Sequence, residues 1–250
     1  MIGSIAVRDI VALNDKLAAM SIELMLNWAV AEFGHELTFA CSFGAEDMVL
    51  LDLLLKAQPQ ASVFVLDTGR MHQETYDLIE KARERYDRSF DFYAPETRAL
   101  ETLLREAGPN NFYSSVETRK NCCRVRKVEP LARVLAGKHA WLTGLRREQS
   151  VTRAGLPLVE IDETHGGILK LNPLAKWSEM RVWEYIRAHH LPYNALHDQG
   201  YSSIGCVPCT RAIRRIEDLR DGRWWWEEPE QKECGLHSDT CAARFARKDT

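Results

Sequence analysis

The chain has 250 residues, 45% of them hydrophobic, enough to bury the core of one globular domain with a short appendage. Its formal net charge of -3 exerts no global pull on phosphate backbones, so nucleic acid is not an expected partner and any anion must be held by local Arg and Lys clusters. Met1 to Val30 lacks the basic-then-apolar signature of a secretory leader, and no apolar run reaches the roughly 18 residues of a membrane span, so a soluble, cytoplasmic protein is expected.

In chain order, Ile10, Leu13, Leu17, Met20, Leu24 and Trp28 recur at steps of three and four, which predicts a helix from Ile10 to Phe33. Leu37 to Cys41 reads as a strand, Ser42 to Asp47 as a loop, and Met48 to Lys56 as an apolar helix ended by Pro59. Ser62 to Leu66 is a buried-type strand, Asp67-Thr68-Gly69 a turn, and Gln73 to Tyr86 an amphipathic helix. Phe90 to Tyr93 and His139 to Thr143 are further strand candidates, and helical pattern returns from Ser178 through Tyr185. Strands alternating with helices predict an α/β fold, a mostly parallel sheet with helices on both faces. Ligands of such sheets collect at the carboxyl ends of the strands, where the turns Ser42 to Asp47, Asp67 to Gly69 and Gly144 to Arg153 lie, so a nucleotide site is expected there. The expected domain covers 1–226, followed at 227–250 by a mobile, charged C-terminal arm; Trp224 to Trp226 read as core aromatics or as the base of a hinge.

Seven cysteines in a chain expected in a reducing compartment argue against a disulfide framework. Cys122, Cys123, Cys206 and Cys209 form a Cys-Cys pair and a C-x-x-C, a set that could bind one metal centre. Adjacent ligands are awkward for a tetrahedral zinc ion and easier for the separate iron corners of a 4Fe-4S cluster; zinc, core cysteines and a redox disulfide stay open on spacing alone. Arg119, Lys120, Arg124, Arg126 and Lys127 surround the pair, either offsetting the charge of a thiolate-bound centre or forming a solvated helix face. Cys234 stands alone in a polar stretch near the end, the setting of a reactive thiol or of a stray surface cysteine. Cys41, at the end of a buried strand, and Cys241 carry no motif.

Taken together, Ser42-Phe-Gly-Ala-Glu-Asp47, Leu66-Asp-Thr-Gly69, Lys120-Asn-Cys-Cys-Arg124 with Lys127, Thr143-Gly-Leu-Arg-Arg147 through Arg153, Cys206-Val-Pro-Cys209 and Glu233-Cys-Gly-Leu-His237 resemble the phosphoadenylylsulfate and adenylylsulfate reductase family over nearly the whole chain. That family is part of the adenine nucleotide alpha-hydrolase-like group. The four paired cysteines resemble its cluster-containing branch, which implies a 4Fe-4S cluster on Cys122, Cys123, Cys206 and Cys209 and adenylylsulfate as substrate in sulfate assimilation. The 3'-phosphorylated nucleotide is the nearest alternative substrate, and an ATP-dependent tRNA thiolation enzyme is a more distant alternative. Phe43 and Ala45 depart from the Ser-Gly-Gly-x-Asp-Ser loop that holds pyrophosphate in ATP pyrophosphatases, which favours a reductase.

The resemblance further implies that the nucleotide lies against Ser42, Phe43, Gly44, Leu66, Thr68 and Gly69, with Arg153 near the phosphosulfate. Lys127, Arg220 and Arg223, with His237 on the arm, would grip the sulfate end. Cys234 would be the nucleophile, and reduced thioredoxin or glutaredoxin the electron donor. The oligomeric state is not set by the sequence, and a homo-oligomer is compatible with it.

Overall fold

The computed structural model describes residues 7–214, 220–228 and 232. The expected N-terminal helix is two: α1 (Val7–Ala18) and α2 (Ile22–Phe33). Helical periodicity runs through the break, but Ser21 adopts extended backbone and its hydroxyl caps the new helix by accepting from the Leu24 amide at 3.3 Å. A local cap here overrides a continuous apolar stripe.

The next elements are β1 (Leu37–Ala40), α3 (Ala45–Ala57), β2 (Ser62–Leu66), α4 (Gln73–Tyr86), β3 (Asp91–Tyr93), α5 (Thr97–Ala107), α6 (Val116–Cys123), α7 (Glu129–Leu135) and β4 (Ala140–Leu142). The described chain continues through β5 (Val159–Asp162), β6 (Ile168–Leu171) and α8 (Glu179–Ala188). β2 and α4 occupy the spans that periodicity predicts. α3 begins three residues earlier than expected, because Ala45, Glu46 and Asp47 form its first turn.

The six strands form one sheet in the order β3-β2-β1-β4-β6-β5, with parallel pairs except for the antiparallel β5–β6 edge. Alternation along the central strands feeds two cores. Val63 and Val65 of β2, with Ala140 and Leu142 of β4, join the larger cluster containing Leu26 of α2, Leu51 of α3 and Ile186 of α8. Phe64 and Trp141, pointing the other way, pack with Leu131, Val134 and Leu135 of α7. Helices therefore cover both faces. Because β1 sits between β2 and β4, the chain leaves it in one direction and returns to its other side later, opening a crevice at the carboxyl ends of these strands.

α6 and α7 form one rod interrupted by a π-helical turn at Arg124–Val128. Ser115 and Thr118 start it with a reciprocal capping box, and Pro130 sits in the first turn of α7. The wider turn begins directly after Cys123 and carries Arg126 and Lys127, a local irregularity of the kind often found at functional sites.

Candidate functional site

A cavity of about 720 Å³ occupies the crevice. Its wall includes Ser42 and Gly44 after β1, Leu66 at the end of β2 and Thr68 beyond it, and Gly144 to Arg146 after β4. Lys127, Arg153, Arg220 and Arg223 also line it, so these members of the expected nucleotide and anion set are brought together. Phe43 is not. Its backbone takes φ +58°, and its fully buried ring meets Phe90 edge-on at 5.4 Å, so the side chain anchors the loop in the core and leaves the neighbouring backbone beside the cavity. Gly69 is likewise not part of the wall; with φ +67° it turns the chain after β2, and its amide donates to Asp67 Oδ1 at 2.8 Å.

The first loop is held by Asp47, whose position on α3 brings its carboxylate back over the end of β1. Asp47 Oδ2 accepts from the Ser42 amide at 2.6 Å and the Ser42 hydroxyl at 2.5 Å, and the carboxylate also faces the Gly144 backbone amide. A Cβ at Gly144 would collide with Asp47 Oδ1, so a glycine is required where the loops of β1 and β4 approach. Burial outweighs these hydrogen bonds and pushes the Asp47 carboxyl up to about 6. Beside it, Glu46 pairs with Arg146, with Nε and Nη2 each 2.9 Å from Glu46 Oε1. In sequence Asp47 falls in the expected loop and carries no expected role; the Ser42-to-Asp47 spacing that closes a strand–helix turn is the signal that could have found it.

The four paired cysteines meet in a second, smaller cavity, lined by Cys122, Cys123, Cys206 and Cys209 together with Arg119, Arg126 and Lys127. All four are free thiols. Three segments far apart in sequence build it. Val207 donates its amide to the Arg70 carbonyl at 2.8 Å, fastening the C-x-x-C loop to the turn after β2, and Tyr113 Oη donates to the Pro208 carbonyl at 2.9 Å. Trp224 donates its amide to the Cys209 carbonyl at 3.2 Å, bringing the last described segment onto the same place.

Trp224 is 1% exposed, and the guanidinium carbons of Arg119 and Arg223 lie 4.6 and 4.5 Å from its ring centroid. Trp225, by contrast, is 39% exposed, so the tryptophan run divides between core and surface. Arg119 also forms a buried two-pronged ion pair with Glu227, at 2.9 and 2.7 Å. Burial alone would lower the Arg119 guanidinium, but Glu227 outweighs it and holds it above its ordinary value. Glu227, the first residue of the expected arm, is thus anchored to α6.

Among the described residues no three Cys, His, Asp or Glu side chains converge at distances suited to a single metal ion. The surroundings of the four sulfurs fit a larger, negatively charged group. Arg126 Nε, Arg223 Nε, Trp224 Nε1 and Trp226 Nε1 are buried donors without a protein acceptor, and Trp224 and Trp226 pack in one cluster with Cys122, Cys206 and Cys209. Buried donors of this kind suit the sulfur atoms of a thiolate-held cluster. Without such a group, burial pushes Cys209 up to about 12 and raises Cys122, although Arg223 and Lys127 pull on the first and Arg126 and Arg70 on the second.

Lys127 and Cys206 line both cavities, so the cysteine site and the large cavity share a wall. Thr68, another wall residue, lies with Oγ1 3.3 Å from Cys206 Sγ. Cys234, His237 and Cys241 lie outside the described residues. Cys41 is buried directly after β1, as its strand position implied. No described helix is long and apolar enough to cross a membrane.

A model of the phosphoadenosine phosphosulfate reductase domain matches residues 36–212, from the start of β1 to just beyond the C-x-x-C. An adenosine 5'-phosphosulfate reductase from Allochromatium vinosum is 54% identical over 226 residues, 90% of this chain and 87% of the relative. Among solved structures, phosphoadenylyl-sulfate reductase from Candida auris superposes with a TM-score of 0.71 at 32% identity, covering 84% of this chain and 100% of that one. Yeast FAD synthetase, at 16% identity and a TM-score of 0.55 over 81% of this chain and 68% of its own, shares the fold alone.

Proposed function

The chain belongs to the phosphoadenosine phosphosulfate reductase family, and on that premise we propose that it reduces adenosine 5'-phosphosulfate to sulfite and AMP in sulfate assimilation, using a 4Fe-4S cluster and a thiol-protein donor. The observation that carries this reading is the shared wall: four free cysteines gathered among buried donors, with Lys127 and Cys206 common to their cavity and the nucleotide-sized one.

The adenosine lies against the turns after β1 and β2, and Lys127, Arg220 and Arg223 face the phosphosulfate from the cysteine side of the cavity. Arg153 approaches it from the β4 loop. Their charges hold the anion and offset the charge that develops on the departing phosphate. The Cys234 thiolate attacks the sulfate sulfur. A sulfur–sulfur bond forms, the sulfur–oxygen bond to phosphate breaks, and AMP leaves with the electron pair. A thiolate of reduced thioredoxin or glutaredoxin then attacks Cys234 Sγ, releasing sulfite. The donor's second thiol resolves the mixed disulfide, so the donor supplies both electrons. His237, three residues beyond the nucleophile, supplies positive charge beside the adduct.

The cluster, held by Cys122, Cys123, Cys206 and Cys209, supplies a fixed electrostatic and structural element beside the anion site. A reducing cytoplasm suits both the free thiols and this chemistry. Incubation with adenosine 5'-phosphosulfate and no reductant should leave one sulfonate on Cys234, seen by mass spectrometry of the digested protein. Sulfite formation by Cys234→Ser at the wild-type rate would sink the mechanism.

A further inference from the structure

The loop after β4 contains two 3-10 turns, Arg147–Gln149 and Val151–Arg153, and it puts Arg146, Gln149 and Arg153 on the wall of the large cavity. Arg146 is its fixed point. The side chain, 2% exposed, pairs with Glu46 at the head of α3 at 2.9 Å and donates to the Trp177 carbonyl at 3.3 Å. Arg147 is not part of that wall and donates instead to the Leu156 carbonyl at 2.8 Å. Gln149 joins the fixed arginine to the last one. Its Oε1 accepts from the Arg146 backbone amide at 3.1 Å and from Arg153 Nη1 at 2.6 Å. Both partners are donors, so it is the oxygen of the side-chain amide that must face them. The first bond caps the turn, and the second reaches beyond it to hold a guanidinium at the cavity.

We propose, on the reading that Arg153 faces the 5'-anion of an adenylyl substrate, that Gln149 is a positioning residue: it sets the Arg153 guanidinium in advance, so that the anion meets a donor already in place. An arginine side chain gives up several rotatable bonds when it closes on an anion, and a bond that has already fixed it removes that cost from the binding step. The amide is neutral, so it orders the guanidinium without offsetting its charge, as a carboxylate in the same place would. Through the Arg146 backbone and Glu46, the position of Arg153 is referred to the head of α3.

The test is a double-mutant cycle in equilibrium binding of AMP and of adenosine, by calorimetry, on the full-length cluster-loaded protein. Gln149→Met keeps the length of the side chain and removes the acceptor. It should weaken AMP about three- to tenfold, the scale of one long side chain left to be ordered, and leave adenosine unchanged. In an Arg153→Met background the same change should cost AMP almost nothing more, because the group it acts through is gone. A cap that serves only the turn would weaken AMP and adenosine alike, or weaken AMP by the same factor with and without Arg153, and either result overturns the proposal. Gln149→Glu keeps both hydrogen bonds, and with them the fold of the loop, but sets a charge against Arg153. It should weaken AMP and spare adenosine, and equal weakening of the two would likewise overturn the proposal. An Arg153→Met protein that binds AMP as tightly as wild type would instead overturn the reading of Arg153 as an anion contact, and the inference with it.

Discussion

At the scale of single residues, the site depends on groups held where their chemistry is costly. Asp47 is buried and its carboxyl is pushed up to about 6, against 3.8 for the free side chain. For an acid with a raised folded value, the native state holds its proton longer than the unfolded chain does. The Asp47 contribution is thus most favourable below about pH 4 and is lost as pH rises to about 6 and above, a swing on the order of 3 kcal/mol. Asp47→Asn removes that titration. The unfolding free energy of the variant relative to wild type, followed by urea titration from pH 4 to pH 8, should therefore rise with pH. A difference that stays flat would show that Asp47 ionises in the folded protein as it does in water. Gly144 makes the complementary point, since any side chain there meets the Asp47 carboxylate. Gly144→Ala should cost about 1–3 kcal/mol by overpacking and should weaken AMP binding, because the loops after β1 and β4 must part.

At the scale of elements, the Arg119–Glu227 pair joins α6 to the segment that follows the tryptophans. Both side chains are almost completely buried, so solvent does not screen the interaction. Glu227→Ala leaves the Arg119 guanidinium buried without its partner and should cost about 3–5 kcal/mol in denaturant unfolding, whereas an exposed pair such as Glu80–Arg83 should cost under about 1 kcal/mol.

Element by element, the sequence was most legible where one signal dominated. β2 and α4 were readable because an apolar strand, a glycine turn and an amphipathic run follow one another without competition. The break between α1 and α2 was hidden because Ser21 interrupts an unbroken apolar stripe, and a cap is a weaker sequence signal than periodicity. α5 carries a clear amphipathic repeat at Leu100, Leu103 and Leu104 and was legible in principle, whereas the capping box of α6 and the antiparallel β5–β6 edge carry short or mixed patterns. That the four paired cysteines come together was legible from spacing and resemblance, and that the basic residues share one cavity wall from resemblance. Asp47 was not, because its role arises from how α3 folds back over β1, and linear spacing does not display that contact. Phe43 is expected at the nucleotide as part of a turn whose backbone approaches it; that its ring turns into the core follows from a positive φ that the sequence does not display.

At the scale of the whole molecule, the cysteine cavity is the meeting point of residues from α6, from the loop after α8 and from the last described segment. On the proposed reading the four cysteines gathered there hold the cluster. Cys206→Ser should lower iron to near zero per chain, by metal analysis after anaerobic purification, and should lower the thermal midpoint along with turnover. A variant that kept full iron and full activity would remove Cys206 from the ligand set. Cys206 lines the large cavity too, but the sheet and the turns after β1 and β4 do not depend on it, so weakened AMP binding is expected to remain in that variant.

The interrupted rod of α6 and α7 bears on how such a centre would be lost. Its proposed ligands, Cys122 and Cys123 on one side and Cys206 and Cys209 on the other, lie roughly eighty residues apart, so a bound inorganic core would act as a rivet through a long loop of chain. Its loss would be felt first as slack between the ends of that loop.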